Sequence, residues 1–358
     1  MLRSRLAALS DADRADRIIQ LMIAVGWRTD TGELRAVLVA RLAVGKVDKA
    51  VLRAQLPADP AASGTPPPAE GEEVARERVV FVRHALPGER VVLEITEGTE
   101  GDKFWRGDAV EVLEASTDRV PAPCPYAGPG LCGGCDFQHV ALPVQRQWKA
   151  GVVAEQLRRL AGLDVEVTVE AVPGDVDGLR WRTRQRYVPL PGGAKGMRKH
   201  RSHDVIPVDD CLLDAGAGPS YDVGGHRFAV ADGGFWQVHP GAPRALVDAV
   251  LEALDPQPGE SALDLYAGVG LFSRFLLDRV GPDGRVAAVE GDRAASRLSE
   301  QNCPGATVQA GDVATVLAGD LPATWDRCEL VVLDPPRTGA KRAVVEQVVA
   351  RAPRAVAY

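Results

Sequence analysis

Four cysteines in this chain could together bind a metal group. Three of them, Cys124, Cys132 and Cys135, lie in the segment CPYAGPGLCGGC, and Cys211 lies far downstream. Acidic residues stand where a secretion signal would be basic, so we expect a cytoplasmic location, where disulfides are rare. Four thiolates suit an iron–sulfur cluster or a tetrahedral zinc ion. Both alternatives remain open on the sulfur count alone.

A glycine-containing turn could bind a nucleoside cofactor. The segment ALDLYAGVG has a strand pattern that ends near Asp264, and Gly268 and Gly270 precede a helical pattern. Glycines allow a ligand to approach the backbone closely. The next predicted strand ends at Glu290, where an acid can bind ribose hydroxyls. The turn lacks the third glycine of a pyrophosphate-binding turn, so the sequence favours S-adenosylmethionine over NAD; a turn without any ligand is the alternative.

Two basic clusters, WRTRQRY and MRKHRSH, could contact RNA phosphate. Side chains alternate along a strand, so the arginines of the first cluster are predicted to share one strand face. Trp181 and Tyr187 could stack on bases. Solvated charges on a sheet face are the alternative. The candidate RNA-binding residues are Arg182, Arg184, Arg186, Arg198, Lys199 and Arg201.

Length, charge and patterning predict several domains. The chain has 358 residues and a formal net charge of −7, so any RNA contact must come from local patches. No segment is long and apolar enough to span a membrane, and we expect no membrane partner. The predicted regions are a helical segment with a Pro-rich linker (1–72), a small β module (73–118), a central α+β region (119–233) and an α/β region with a mostly parallel sheet (234–358).

Two helices are predicted before the α/β region. Residues 1–56 are expected to be helical, with a capping box at Ser10 and Asp13 that begins a helix through Met22. The segment 142–161 carries an apolar stripe, and Gly162 is expected to end that helix.

The motifs also have the order found in a known family. From about residue 74 onward the chain resembles the RNA 5-methyluridine (uracil-C5) methyltransferases. RVVFVRHALPGERV resembles their TRAM domain, an OB-like β-barrel that binds RNA, and CPYAGPGLCGGCDFQH resembles their iron–sulfur segment. GFWQVHP resembles their F-x-Q motif, DLYAGVGLF their cofactor loop, and LDPPRTG their fourth-strand motif.

This resemblance implies a fold and a set of ligands. The fold is a Rossmann-like class I methyltransferase domain, preceded by a TRAM barrel and a central cluster-binding domain. The four cysteines named above would hold a [4Fe-4S] cluster. Phe235 and Trp236 are expected to belong to the core. The resemblance assigns S-adenosylmethionine contacts to Gln237, Tyr266, Glu290, Asp312 and Asp334, in addition to Asp264, Gly268 and Gly270.

The implied activity is methylation of C5 of a uridine in rRNA or tRNA by a monomer. In the family the nucleophilic cysteine follows the fifth strand, which PRAVAY (353–358) is predicted to form. We therefore expect a C-terminally truncated member, with the nucleophile beyond Tyr358 and one sheet edge left unpaired. Cys303 and Cys328 are predicted to be ordinary small residues. The alternatives are methylation of another RNA position and a non-catalytic RNA- and cofactor-binding iron–sulfur protein.

Overall fold

The computed structural model describes residues 35–37, 51–54, 78–99, 101–336 and 338–358. Its strands are, in chain order, β1 (Arg35–Val37), β2 (Val51–Ala54), β3 (Arg78–Arg83), β4 (Arg90–Glu97), β5 (Phe104–Glu114), β6 (Val188–Pro189), β7 (Lys195–Arg198), β8 (Val205–Pro207), β9 (Asp222–Val223), β10 (His226–Arg227), β11 (Ser261–Leu265), β12 (Arg285–Glu290), β13 (Thr307–Ala310), β14 (Leu330–Leu333) and β15 (Ala355–Ala357). Its helices are α1 (Leu142–Ala161), α2 (Ala242–Leu254), α3 (Leu271–Val280), α4 (Arg293–Asn302), α5 (Val313–Thr315) and α6 (Arg342–Ala350).

These elements divide into two compact units. Unit 1 takes its described residues from Met1–Leu42, Arg146–Arg184 and Leu213–Tyr358. Unit 2 takes them from Ala43–Gln145 and Gln185–Leu212. No helix in the described part of the chain is long and apolar enough to cross a membrane.

Unit 1 is built on a parallel sheet with the strand order β1-β15-β14-β11-β12-β13. Strands β11 and β14 are buried along their whole length, and β14 is entirely apolar, as expected when helices cover both faces of a parallel sheet. Leu263 and Leu265 belong to the core on one face, while Ala262 packs with Leu276 of α3 on the other. This topology confirms the predicted Rossmann-like α/β fold.

The prediction that the fifth strand leaves one edge of this sheet unpaired is wrong. PRAVAY does contain the expected strand, β15, but β15 pairs with β14 on one side and with β1 on the other. The partner strand comes from Arg35–Val37, in a region that the sequence pattern predicts to be helical. Residues Val51–Ala54 are a strand as well. The helix predicted from Ser10 to Met22 lies outside the described residues.

Unit 2 contains the small β module and the cysteine segment. Its larger sheet has the order β2-β3-β5-β4, and its smaller sheet has the order β6-β7-β8. A partly buried ion pair joins the first sheet to the chain that leads to the cysteines: Arg119 Nε donates to Glu89 Oε1 at 2.6 Å. Burial alone would raise the pKa of Glu89, but the hydrogen bonds from Arg119, Leu86 and Ser116 lower that pKa to about 2.

Two local predictions have opposite outcomes. Helix α1 ends as expected, because Gly162 adopts a left-handed φ of 63° and its N–H bonds to Arg158 O. Residues 181–187, in contrast, do not form the predicted arginine strand. Arg182 makes an isolated bridge with Asp214, and no ladder follows it in this part of the structure.

Candidate functional site

The turn after β11 lies at the carboxyl edge of the parallel sheet. Strands β12 and β14 flank β11, so the turn sits where the strand order reverses, which is the ligand-binding position in open α/β sheets. Tyr266, Gly268 and Gly270 have φ values of 64°, 58° and 88°. A left-handed conformation at Tyr266 is strained for a residue with a Cβ, and such strain concentrates at functional sites.

Gly270 is required by packing as well as by its backbone conformation. A Cβ at this position would lie 2.4 Å from Cys303 Sγ and 2.7 Å from Ser299 Oγ of helix α4. The Cys303 thiol donates to Gly270 O at 3.2 Å, which confirms the prediction that Cys303 is a packing residue. Burial raises the pKa of both Cys303 and Cys328 to about 12, so neither is a thiolate near neutral pH.

Asp264 supports the turn from within the core. Its carboxyl group is fully buried, and Oδ2 accepts hydrogen bonds from Ser273 N at 2.9 Å and from Ser273 Oγ at 2.6 Å. Ser273 lies in the first turn of α3, whose N-cap residue, Gly270, has no side chain to cap the helix. Asp264 therefore supplies the missing cap. Sequence reasoning missed Ser273, although a hydroxyl just after the glycine turn was a usable signal.

Acidic side chains gather at this edge of the sheet. Glu290 Oε2 accepts from Gly268 N at 2.7 Å, and its Oε1 accepts from Asp292 N at 2.7 Å. Burial, together with the charges of Asp334 and Glu290, raises the pKa of Asp264 to about 7, although the hydrogen bonds from Ser273 lower it. Burial and the charge of Asp312 raise the pKa of the Tyr266 phenol. The structure thus brings the predicted cofactor-site acids and Tyr266 to one negatively charged edge of the sheet.

The F-x-Q segment is only partly as expected. Trp236 is a core residue, and its Nε1 donates to Ser220 O. Phe235 is not: it is 69% exposed, so the prediction that it belongs to the core is wrong. Trp236 packs with Tyr221 and Phe228, and its neighbour Phe235 does not belong to that buried cluster. Gln237 is half-buried, and no hydrogen bond from its side chain reaches the glycine turn within the described residues.

All four cluster-candidate cysteines belong to unit 2. Each is half-buried, and the charges of Cys124, Cys132 and Cys211 all act on Cys135. Burial raises the pKa of Cys132, and it raises the pKa of Cys135 to about 11. Long-range folding has therefore brought Cys211 to the local segment, as a shared ligand set requires.

The surroundings of these sulfurs suit a bound metal group in one respect. Side-chain amides donate to two of them, Gln138 Nε2 to Cys135 Sγ and Gln185 Nε2 to Cys211 Sγ, each at 3.1 Å. Such outer hydrogen bonds are typical of metal-bound thiolates. Across the described ranges, however, no group of three or more His, Cys, Asp or Glu side chains is positioned to hold a metal ion.

The predicted basic residues divide between the units. In unit 1, Arg182 lies over the Trp181 ring, and Arg184 Nη2 donates to Gly234 O at 2.6 Å. Trp181 is buried and stacks on His239, so it is not the exposed aromatic that the sequence predicts.

In unit 2 most of the predicted cations have local partners. Arg201 pairs with Glu97 at 2.9 Å, and Lys199 pairs with Asp204 at 3.8 Å. Arg198 Nη1 lies 3.2 Å from His203 Nδ1. Arg186 is exposed. These pairs keep the cations at the surface, where a phosphate could compete for them.

We expect Asp264→Asn to change how stability depends on pH. The folded-state pKa of about 7 exceeds the ordinary value of 3.8, so the folded state holds this proton more tightly and loses stability as pH rises between these values. An amide at this position does not ionise. The free energy of unfolding of the variant should therefore rise relative to the unsubstituted protein across this range, by up to ~1.4 kcal/mol per pH unit.

Urea denaturation at several pH values measures this difference. Asp283→Asn, which changes an exposed turn carboxylate, is the control and should follow the unsubstituted protein. A constant difference between Asp264→Asn and the unsubstituted protein from pH 4 to 8 would contradict the buried, proton-retaining carboxyl group.

Similarity to known proteins agrees with this site. Residues 246–357 match the family described as "Methyltransferase small domain". The 23S rRNA (uracil(1939)-C(5))-methyltransferase RlmD of Shewanella amazonensis is 27% identical over 353 residues, which cover 74% of this chain and 77% of the relative. The solved structure of TrmN from Thermus thermophilus is 21% identical, with a TM-score of 0.23, and covers 26% of this chain and 28% of that chain.

A higher identity is found in a Streptomyces avermitilis protein named an uncharacterized RNA methyltransferase. It is 38% identical over 362 residues, which cover 78% of this chain and 83% of the relative. A Streptomyces coelicolor protein of the same description is 38% identical over 363 residues, covering 78% of each chain. With this identity over most of both sequences, the chain belongs to the RNA methyltransferase family.

Proposed function

We propose that this chain binds S-adenosylmethionine at the glycine turn and takes part in the methylation of C5 of a uridine in RNA. The observation that carries the proposal is the acidic carboxyl edge around the turn. Glu290 ends β12, where ribose hydroxyls would be bound, and the charges of Glu290 and Asp334 repel a charge on the buried Asp264 carboxyl group. A cationic sulfonium ligand relieves that repulsion, whereas a pyrophosphate would increase it.

The uridine assignment rests on the relatives named RlmD and on the motifs that the chain shares with uracil-C5 enzymes. Uracil C5 is a weak nucleophile. A thiolate that adds to C6 places electron density on C5, which then takes the methyl group from the sulfonium. A base removes the C5 proton, and the thiolate leaves C6. The target base must first leave its stack.

We propose that RNA contacts unit 1 beside the F-x-Q segment. The guanidinium of Arg184 bonds to the backbone just before Phe235, so a cation and an exposed aromatic ring are adjacent there. This combination suits single-stranded RNA, because a base can stack on the ring while phosphate is held by the cation. The candidate cations of unit 2 would add phosphate contacts.

We also propose that Cys124, Cys132, Cys135 and Cys211 hold a [4Fe-4S] cluster. The support is the convergence of the four sulfurs in one unit and the amide donors around them. A four-iron cluster is larger than one ion, so its ligand sulfurs stand farther apart than the ligands of a single zinc. A zinc ion bound by the same cysteines remains the alternative.

A second candidate function follows from the state of the six cysteines in this chain. Cys303 and Cys328 are buried and have high pKa values, and the other cysteines are the proposed cluster ligands. None of the six is thus available to attack C6. Methyl transfer to a nitrogen of RNA needs no such nucleophile. Transfer of a labelled methyl group to separate rRNA and tRNA pools, with the modified base mapped, distinguishes the two reactions.

Glu290→Gln should weaken S-adenosylmethionine binding. A charged acceptor is worth about 1.5–3 kcal/mol in hydrogen bonds, so we expect the dissociation constant to rise roughly tenfold or more in calorimetry. Glu329→Gln is the matched control, because Glu329 binds Ser261 at the amino end of β11, away from the turn. Equal affinities for the two variants would remove Glu290 from the cofactor site.

Replacement of Arg182, Arg184 and Arg186 by Gln should weaken RNA binding and its dependence on salt. For single-stranded RNA, each lost phosphate contact lowers the slope of log affinity against log salt by about 0.7. The charge-matched control replaces three exposed helix arginines of unit 1, Arg279, Arg293 and Arg297. If both triple variants change the slope equally, only net charge matters and the proposed contacts are wrong.

RNA that contains 5-fluorouridine should form no covalent adduct with this chain. The fluorine blocks proton removal from C5, so an attacking thiolate would remain bound to C6 and appear as a shifted band on a denaturing gel. The Shewanella amazonensis RlmD serves as the comparison enzyme. An adduct mapped by mass spectrometry to any of the six cysteines would overturn our view that none of them is the nucleophile.

A further inference from the structure

We infer that the side-chain amides of Gln138 and Gln185 are positioning groups for the metal group on the four cysteines. By donating N–H bonds to the sulfurs of Cys135 and Cys211, they slow the loss of iron and raise the reduction potential of the cluster. The inference rests on the cluster proposed above, and its test separates the two.

The orientation of the Gln138 amide is set by its partners. The backbone N–H of Cys124 donates to Gln138 Oε1 at 3.1 Å. A backbone N–H can only donate, so the atom that faces it must be the amide oxygen. The amide nitrogen therefore faces Cys135 Sγ, at 3.1 Å. One side chain thus ties the backbone of the first cysteine to the sulfur of the third.

Gln185 donates a comparable hydrogen bond to the distant cysteine, Cys211. Its Nε2 lies 3.1 Å from Cys211 Sγ, and the two residues are 26 positions apart in sequence. The backbone N–H of Gly134 lies 3.4 Å from Cys132 Sγ. Three of the four sulfurs therefore have an N–H donor directed at them within unit 2.

The physical effect of these donors depends on charge. An N–H bond to an ionised acceptor is roughly twice as strong as one between neutral groups, so the amides favour the sulfurs as thiolate ligands over free thiols. Reduction by one electron would add negative charge to a bound cluster and its sulfurs. The directed N–H dipoles would stabilise that charge and so raise the potential.

The test uses full-length protein purified without oxygen, with iron, sulfide and zinc measured first. Gln138→Glu and Gln185→Glu keep the side-chain shape but set a carboxylate oxygen against sulfur. We expect each variant to release iron to a chelator roughly 10- to 100-fold faster. A dithionite titration should show a lower midpoint potential for each.

Gln145→Glu is the matched control. Gln145 Nε2 donates to Phe137 O and Val140 O, so this substitution loosens the same segment without touching a sulfur. Unchanged iron release and potential in both sulfur-facing variants, or equal acceleration in the control, would overturn the inference. Zinc without iron in the purified protein would overturn the cluster instead. Faster zinc release from both sulfur-facing variants than from the control would then support the role of the amides, and equal release would overturn it. Absence of any metal would overturn both.

Discussion

The buried contact between Asp264 and Ser273 is the interaction on which the cofactor edge depends. The chain must turn sharply from β11 into α3, and Gly270 accommodates this turn only because it lacks a side chain. That same lack leaves the first turn of α3 without an N-cap. The Asp264 carboxyl group accepts both Ser273 donors and so holds the helix against the strand. With a pKa of about 7, this carboxyl group keeps its proton below neutral pH, so the two bonds have the ordinary net value of about 0.5–1.5 kcal/mol each.

The same burial gives the edge its electrostatic character. Asp264 is the penultimate residue of β11, Glu290 ends β12 and Asp334 follows β14, so the parallel topology brings these acids to one edge. Folding stability alone would disfavour that arrangement, since like charges in a low-dielectric setting repel. A ligand with a positive centre and ribose hydroxyls offsets the repulsion. The acids at this edge disfavour a phosphate ligand and suit a cationic one.

Unit 2 holds four sulfurs from two distant segments of the chain near one another. Gln138 acts locally, and Gln185 acts on the segment that carries Cys211. The ion pair between buried Glu89 and partly exposed Arg119 holds the chain that leads into the cysteine segment. Polar side chains thus contribute to the positioning of these segments. Such networks specify geometry well, because a buried polar group that loses its partner is costly.

The sequence by itself determined the local elements and the family. Strict apolar runs ended by acids predicted β11, β12 and β14, glycine predicted the end of α1, and motif order identified the RNA methyltransferase relatives. These signals depend on neighbours in the chain. Partners far apart in sequence were decided only by the tertiary structure: β15 pairs with β1, Asp264 caps α3, and Glu97 binds Arg201. Phe235 and Trp181 show the same limit, since an aromatic residue is buried or exposed according to what packs on it, and local pattern does not contain that information.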